Sequence, residues 1–136
     1  MNMRTVRVAD IRIGAGHPLA LIAGPCVIES RKACLDLARK LAALARQDRI
    51  PLIFKASYDK ANRSSHTAYR GPGLEEGLDI LSEIKAKTGL PVLTDVHSVA
   101  EVGPVAEVAD ILQVPAFLCR QTDLLLACGK SGRVVN

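Results

Sequence analysis

The sequence predicts an α/β fold with a parallel sheet, because buried strand patterns alternate with helix patterns along its 136 residues. The strand segments are short and continuously apolar, which is typical of strands that are covered on both faces. The segments between them place apolar residues at helical spacing and carry helix start and stop signals. A small open sheet and part of a β/α barrel both fit this alternation.

The first third of the chain contains a hairpin, a strand and a helix. Residues 5–14, TVRVADIRIG, alternate polar and apolar side chains and predict a small amphipathic hairpin. Residues 19–24, LALIAG, predict a buried strand. Glu29 and Ser30 precede a predicted helix over 31–47, in which apolar residues recur at helical spacing. These apolar positions are Cys34, Leu37, Leu41 and Leu44.

The remaining residues repeat the strand–helix unit. The further strands are predicted at 52–57, 91–97 and 111–114, with the beginning of a fifth strand at 133–136. The further helices are predicted at 74–89, 98–109 and 121–132. Gly89 is the expected C-cap of the second helix, and the third contains Gly103-Pro104, a pair that is unfavourable inside a helix.

The composition argues against nucleic-acid and membrane partners. The chain has two Phe, two Tyr and no Trp, so it lacks the aromatic platforms that bind single-stranded nucleic acid. Its net charge of +4 is modest, which suits small anionic substrates better than a DNA surface. No apolar run is long enough to span a membrane. The four cysteines form no C-x-x-C pair and follow no secretory leader, which predicts reduced thiols in the cytoplasm.

Polar side chains lie at or just after the carboxyl ends of successive predicted strands. In a parallel α/β fold, this edge of the sheet holds the functional site. We therefore expect the chemistry of the protein to be located there. The residues are Cys26, Lys55, Ser57, Asp95, His97 and Gln113.

The segment that follows the second strand carries several cations. Lys60, Arg63 and Arg70 are compatible with a solvated loop surface. Their occurrence together with Asn62 and neighbouring serines favours a phosphate-binding loop, because the cations supply charge while amide and hydroxyl groups fix orientation. Lys55 and Ser57 are open to both readings, as ordinary polar groups at a strand end and as part of that site.

Three other residues of the edge have a metal-binding interpretation and a structural one. A cysteine such as Cys26 is more often a small buried apolar residue than a ligand. Asp95 and His97 are two positions apart on a strand and so share a face. Two residues do not complete a metal site.

Five segments together resemble the 3-deoxy-D-manno-octulosonate 8-phosphate (Kdo 8-phosphate) synthase family, which makes a precursor of bacterial lipopolysaccharide. They are IAGPCVIESR, FKASYDKANRSS, YRGPGLEEGL, TDVH and QVPAFLCRQTDLL. The resemblance runs from about residue 5 to the last residue. The related 3-deoxy-heptulosonate-phosphate synthase of the shikimate route typically shows K-P-R-T-S where this chain has KANRS at 60–64. That difference favours the octulosonate enzyme.

The resemblance implies a TIM-type (β/α)8 barrel that condenses phosphoenolpyruvate with D-arabinose 5-phosphate and releases phosphate. This chain is then expected to be the first half of the barrel, in one partial domain over 1–136. That half has an N-terminal β-hairpin at about 5–14, and four β/α units and the start of a fifth strand at about 18–136. A barrel of this type needs eight strands, so the chain is expected to be a fragment of a longer gene product. The family also implies a cytoplasmic homotetramer.

Residue roles follow from the matched motifs. The resemblance implies that Lys55 and Lys60 are catalytic and line the phosphoenolpyruvate site with Gln113 and Ala116. It implies that Asn62, Arg63 and Ser64 hold the pentose phosphate, and that Arg120 reaches a neighbouring subunit's phosphate. Ser57 and Asp95 complete the set of substrate-binding candidates.

The resemblance also implies a role for Cys26 in metal binding. Family members with Cys at this position need a divalent metal, whereas members with Asn do not, so the resemblance implies a thiolate ligand for Fe(II), Zn or Mn. The other ligands of the family belong to later strands, beyond residue 136.

Other interpretations stay open at the level of the sequence. The chain could be a non-enzymatic half-barrel that binds sugar phosphates or pairs with a partner. It could also be a small stand-alone α/β binder, or have the related 3-deoxy-heptulosonate-phosphate synthase activity.

Overall fold

The structure, a computed structural model, describes residues 4–136 and consists of a hairpin followed by a parallel sheet with helices. The hairpin pairs β1 (Val6–Val8) with β2 (Ile11–Ile13) in antiparallel register. The strands of the parallel sheet are β3 (Leu21–Ala23), β4 (Leu52–Lys55), β5 (Val92–Asp95), β6 (Ile111–Gln113) and β7 (Val134–Val135). The helices are α1 (Arg31–Asp48), α2 (Leu74–Thr88), α3 (Val99–Val108) and α4 (Thr122–Lys130), with a 3-10 turn at Ala116–Leu118.

The strand order distinguishes the two architectures that the sequence allowed. The five strands lie side by side in chain order, from β3 to β7, and all neighbouring pairs are parallel. A doubly wound open sheet reverses its strand order at a switch point, whereas a barrel adds each strand beside the last one. The observed order is consistent with part of a TIM-type barrel, and the predicted α/β fold is confirmed.

The two faces of the sheet bury different partners because successive side chains on a strand point to opposite sides. On the inner face, Ile53, Leu93 and Ile111 pack with Val8 of the hairpin. The hairpin therefore covers the amino-terminal end of that face. On the outer face, residues such as Phe54 pack against the helices. Each fully buried side chain of this kind contributes about 1.5–3 kcal/mol.

The helix ends follow the local signals of the sequence. Ser30 is the N-cap of α1, and its hydroxyl accepts a hydrogen bond from the N–H of Ala33. Helix α2 ends at Gly89, whose φ of 72° lies in the left-handed region that glycine adopts without strain. Helix α3 continues to Val108 in spite of Pro104, which is exposed.

Three expectations differ from the observed fold. The strand predicted as buried at 19–24 is an edge strand, and Leu21 and Ile22 are exposed because β3 has a neighbour on one side only. The predicted apolar face of α1 is only partly the buried one: Cys34 is buried and Leu41 packs against the core, but Leu44 is 52% exposed. The residues buried there are Cys34, Leu35, Ala38, Ala42 and Ala45. The short 3-10 turn before α4 was not predicted.

No helix within the described residues 4–136 is long and apolar enough to cross a membrane.

Candidate functional site

Three of the predicted site residues share the inner face of the sheet at its carboxyl edge. Lys55 ends β4, Asp95 ends β5 and Gln113 ends β6. Each has the same strand parity as an inner core residue two positions earlier, so its side chain points to the inner face. Asp95 and Gln113 are direct partners in the register of β5 and β6. The strands therefore bring these side chains to one end of the inner face, above the apolar core.

Lys55, Ser57 and Asp95 form one connected group. The Lys55 Nζ donates to Ser57 Oγ at 3.0 Å, and the Ser57 hydroxyl donates to Asp95 Oδ1 at 2.5 Å. The Lys55 Nζ also lies 3.9 Å from Asp95 Oδ1. Ser57 is completely buried and Asp95 is 5% exposed, so the carboxylate is held away from bulk water by its partners.

The charges of this group depend on one another. Burial alone would raise the pKa of Asp95, but hydrogen bonds from His97 and Ser57 and the charge of Lys55 lower it to about 2. Burial lowers the pKa of Lys55, and the nearby Lys60 adds to that effect while Asp95 opposes it. The site thus pairs a firmly ionised carboxylate with an ammonium that loses its proton more easily than an exposed lysine does.

His97 joins the same group, which the sequence indicated only through its strand spacing. Its Nε2 lies 3.0 Å from Asp95 Oδ2. This hydrogen bond raises the pKa of His97, although burial opposes the shift. The Tyr58 ring packs against the His97 ring, and the Glu101 carboxylate accepts a hydrogen bond from the His97 main-chain N–H. The prediction from the sequence did not include either residue in the site. The spacing of four residues between His97 and Glu101 was the available signal for Glu101, whereas Tyr58 carried none.

The basic loop that follows β4 is closed at its base by an ion pair. The guanidinium of Arg70 donates to both carboxylate oxygens of Asp59, at 2.7 and 2.6 Å. The N–H of Lys60 donates to the Arg70 carbonyl at 2.6 Å. Arg70, which the sequence suggested as a phosphate-binding cation, is therefore engaged in holding the two ends of the loop together.

The loop itself presents the three residues predicted to hold the pentose phosphate. Asn62 and Ser64 are exposed. Arg63 is partly buried, and its guanidinium donates to the carbonyls of Lys60 at 3.4 Å and His66 at 3.1 Å. Its Nε is buried and has no hydrogen-bond partner among the described residues. The arginine head is thus oriented by the main chain and keeps a free donor.

The remaining candidates lie on the segment after β6. Gln113 Oε1 accepts a hydrogen bond from Asn136 at 3.2 Å. Ala116 is the first residue of the 3-10 turn and is exposed, as is Arg120 just before α4. These residues continue the same edge of the sheet, but the direct contacts described above link only Lys55, Ser57, Asp95 and His97.

Cys26 follows β3, where the backbone passes unusually close to β4. A Cβ atom on Gly24 would lie 1.9 Å from the Lys55 carbonyl oxygen, so only glycine permits this approach. The approach brings the exposed thiol of Cys26 near enough to influence the pKa of Lys55. Residues 4–136 contain no group of three or more His, Cys, Asp or Glu side chains that could hold a metal ion. The described part of the chain offers one soft ligand and does not form a metal site alone.

The arrangement is suited to binding small anions. The buried Asp95 carboxylate orients Lys55, Lys60 lies beside Lys55, and Arg63 extends the positive charge into the loop. Fixed cations beside a reacting centre stabilise negative charge that develops there. Fold and site together define a protein of the β/α-barrel type with a cationic group at the carboxyl edge of its sheet.

Comparison with known proteins gives the family. The family model described as the DAHP synthetase I family matches residues 2–136, and the chain belongs to this family.

Three similar curated proteins share one name. The chain is 58% identical over 133 residues to a 2-dehydro-3-deoxyphosphooctonate aldolase of Citrifermentans bemidjiense, which covers 98% of this chain and 49% of the relative. It is 58% identical over 132 residues to the protein of that name from Syntrophotalea carbinolica, and 57% over 133 residues to that from Geobacter metallireducens. The name denotes Kdo 8-phosphate synthase, so the resemblance inferred from the motifs is confirmed. The chain spans about half the length of these relatives.

Proposed function

We propose that the chain forms the first half of a Kdo 8-phosphate synthase, which condenses phosphoenolpyruvate with D-arabinose 5-phosphate and water and releases phosphate. The reaction is a transfer step of lipopolysaccharide biosynthesis. The proposal includes a location in the cytoplasm and a homotetramer, as the resemblance implies.

The observation that carries the proposal is the contact of Lys55 and Ser57 with Asp95 at the carboxyl edge. It puts an oriented ammonium group at the end of the inner face, where a barrel of this type holds its substrates. The names of the relatives support the same reaction.

In the proposed reaction the enolpyruvate carbon attacks the aldehyde of the pentose, and water adds at the adjacent carbon. Lys55 and Lys60 bind phosphoenolpyruvate and stabilise the charge that develops during attack. Gln113 and Ala116 line the same subsite. The pentose phosphate is held by Asn62, Arg63 and Ser64 in the loop, and Arg120 contributes from a neighbouring subunit.

A second candidate is the related heptulosonate-forming activity, which the name of the family favours. The two products differ by one carbon, so that reaction would take an aldose phosphate one carbon shorter than arabinose 5-phosphate. The KANRS segment at 60–64 supports the octulosonate enzyme. The third candidate is a non-enzymatic sugar-phosphate binder, which binding without turnover would distinguish.

The function is tested in a joined enzyme, in which this chain is followed by the second half of the Citrifermentans bemidjiense relative. Phosphate release from phosphoenolpyruvate is measured with each of the two aldose phosphates. We expect turnover with arabinose 5-phosphate. Preference for the shorter sugar would select the second candidate, and a folded joined enzyme that binds sugar phosphate without turnover would select the third.

Replacement of Arg63 should change the KM values of the two substrates to different extents. Arg63→Ala is expected to raise the KM for arabinose 5-phosphate about 10- to 100-fold, because a charge-assisted hydrogen bond contributes about 1.5–3 kcal/mol. The KM for phosphoenolpyruvate should change much less.

Replacement of Lys60 should act on the rate. Lys60→Ala is expected to lower kcat, because a cation at the reacting centre acts on developing charge. Steady-state kinetics of the joined enzyme measure both effects.

Arg39→Ala is the matched control, since Arg39 is an exposed arginine on α1 whose partner is Asp36. It should leave both KM values unchanged. Equal losses for both substrates in Arg63→Ala would contradict the assigned role of Arg63, and a Lys60→Ala effect confined to KM would contradict that of Lys60.

We also propose that Cys26 provides one thiolate ligand for a divalent metal, with the other ligands supplied by the second half. Cys26→Ser should then lower the metal content of the purified joined enzyme, as measured by elemental analysis, at least tenfold. The control is Cys119→Ala, which removes another exposed thiol. Burial raises the pKa of Cys34 to about 11, so Cys34→Ala should also leave the metal content unchanged. Full metal content in Cys26→Ser would exclude the ligand role.

A further inference from the structure

One carboxylate oxygen joins three elements behind the proposed site. Glu101 lies in the first turn of α3, and its Oε2 accepts hydrogen bonds from the Tyr58 hydroxyl and from the main-chain N–H of His97, both at 2.8 Å. Tyr58 follows β4 and His97 follows β5. Hydrogen bonds to a charged acceptor are stronger than those between neutral groups. Glu101 therefore fastens the ends of two strands to the start of a helix.

Tyr58 has little freedom to move away from this carboxylate. It is 1% exposed. A Cβ atom on Gly77 would lie 2.3 Å from the Tyr58 Cβ, so α2 packs directly against the ring. Burial and the hydrogen bond to Glu101 raise the pKa of Tyr58, which keeps its hydroxyl protonated as a donor.

The His97 ring is held between Glu101 and Asp95. Its Nε2 contacts Asp95 Oδ2 at 3.0 Å. It is roughly perpendicular to the Tyr58 ring, with a centroid distance of 5.6 Å and an interplanar angle of 80°. The buried Nδ1 lies 3.5 Å from Glu101 Oε2 and makes no hydrogen bond within residues 4–136. Main chain and ring are thus both placed relative to Glu101.

We propose that Glu101 is a positioning residue of the synthase, which fixes Asp95 through His97 and is itself fixed by the Tyr58 hydroxyl. This inference rests on the proposed function. Glu101 touches no substrate in this scheme. Its effect reaches the substrate because Asp95, once oriented by His97, orients Ser57 and Lys55 at the carboxyl edge. A displacement of the reacting groups by about 1 Å can lower a rate by about a hundredfold.

The proposal is tested with variants that keep or remove the acceptor at position 101. Glu101→Gln retains an oxygen that accepts from both Tyr58 and His97, whereas Glu101→Ala does not. Tyr58→Phe removes one hydroxyl and leaves the ring packing in place. The matched control is Asp110→Ala, because Asp110 also accepts a main-chain N–H of β5, from Val92 at 2.9 Å, but at the opposite end of the strand.

In the joined enzyme, Glu101→Ala should lower kcat about tenfold with a smaller change in KM. Tyr58→Phe should lower it about threefold, and Glu101→Gln should restore most of the rate. Asp110→Ala should lower the unfolding temperature without lowering kcat. A purely structural role of Glu101 predicts instead that kcat follows the unfolding temperature in all four variants, and that outcome overturns the proposal.

A second measurement does not depend on turnover. Amide hydrogen exchange at His97 in the joined enzyme should be about tenfold faster in Glu101→Ala than in Glu101→Gln. Equal exchange in the two variants would overturn the proposal even if the enzyme is active.

Further variants distinguish failure of this proposal from failure of the proposed function. If Lys60→Ala and Asp95→Ala both leave the rate unchanged, the proposed function fails. If those variants are impaired while Glu101→Ala and Tyr58→Phe are not, only the positioning role fails.

Discussion

The 136-residue chain alone is expected to release no phosphate from phosphoenolpyruvate and arabinose 5-phosphate, and the addition of a second half should restore the activity. The chain covers 49% of the Citrifermentans bemidjiense relative, and its residues 4–136 form five parallel strands. A barrel of this type needs eight. Without the other strands, the substrates and any metal are contacted from one side only, so the reacting groups cannot be held in attack geometry.

The same chain should self-associate when purified alone. Edge strands with unpaired backbone groups are templates for pairing with another chain. In the edge strand β3, Leu21 is 46% exposed and Ile22 is 44% exposed. Leu19, just before it, is 94% exposed. Light scattering gives the size distribution, and the phosphate assay is run on the same sample. A monodisperse monomer with turnover close to that of the joined enzyme would contradict this prediction.

Replacement of the buried carboxylate is expected to have the second largest effect. In the joined enzyme, Asp95→Ala should lower kcat/KM at least a hundredfold, because Lys55 and Ser57 lose the group that orients them. The measurement is steady-state phosphate release at saturating metal. Asp110→Ala again serves as the control for a carboxylate at the other end of the strand.

The same residue should make stability depend on pH in the acid range. The folded pKa of Asp95, about 2, lies below its ordinary value of 3.8. The ionised carboxylate therefore contributes stability above pH 3.8, and this contribution disappears as the pH falls through about 2. The difference corresponds to about 2 kcal/mol in the free energy of unfolding.

Denaturant unfolding of the joined enzyme and of its Asp95→Asn variant between pH 7 and pH 2 measures that contribution. The variant should be less stable at pH 7 by about 2 kcal/mol, and the difference should close toward pH 2. A constant difference in the free energy of unfolding over the whole pH range would show that Asp95 contributes to stability through packing rather than through its charge.

Most of the fold was predictable because its signals are local. The apolar runs of β4 and β5, the Ser30 cap of α1 and the Gly89 end of α2 each depend on a few neighbouring residues. The placement of Lys55, Asp95 and Gln113 at one edge also followed from the alternation of strands and helices. The motifs added the family, which the comparisons confirm.

Exposure at the sheet edge was not predictable in this way. The segment at 19–24 is as apolar as a central strand, yet β3 is an outer strand. Its burial depends on which other strands are present beside it, and a local pattern contains no information on that. The same holds for Leu44 on α1, since the smaller residues Ala42 and Ala45 are buried in its place.

The partners of the polar side chains depended on contacts between residues far apart in the chain. From the sequence, Arg70 was one more cation of a basic loop, but the fold places it against Asp59. Tyr58 and Glu101 are separated by 43 residues. They meet because β4 and β5 are neighbours in the sheet, and Tyr58 follows β4 while Glu101 is in the first turn of the helix after β5. A hydrogen bond of this kind is set by the distance and angle between two atoms, and only the packing of the elements brings those atoms within reach.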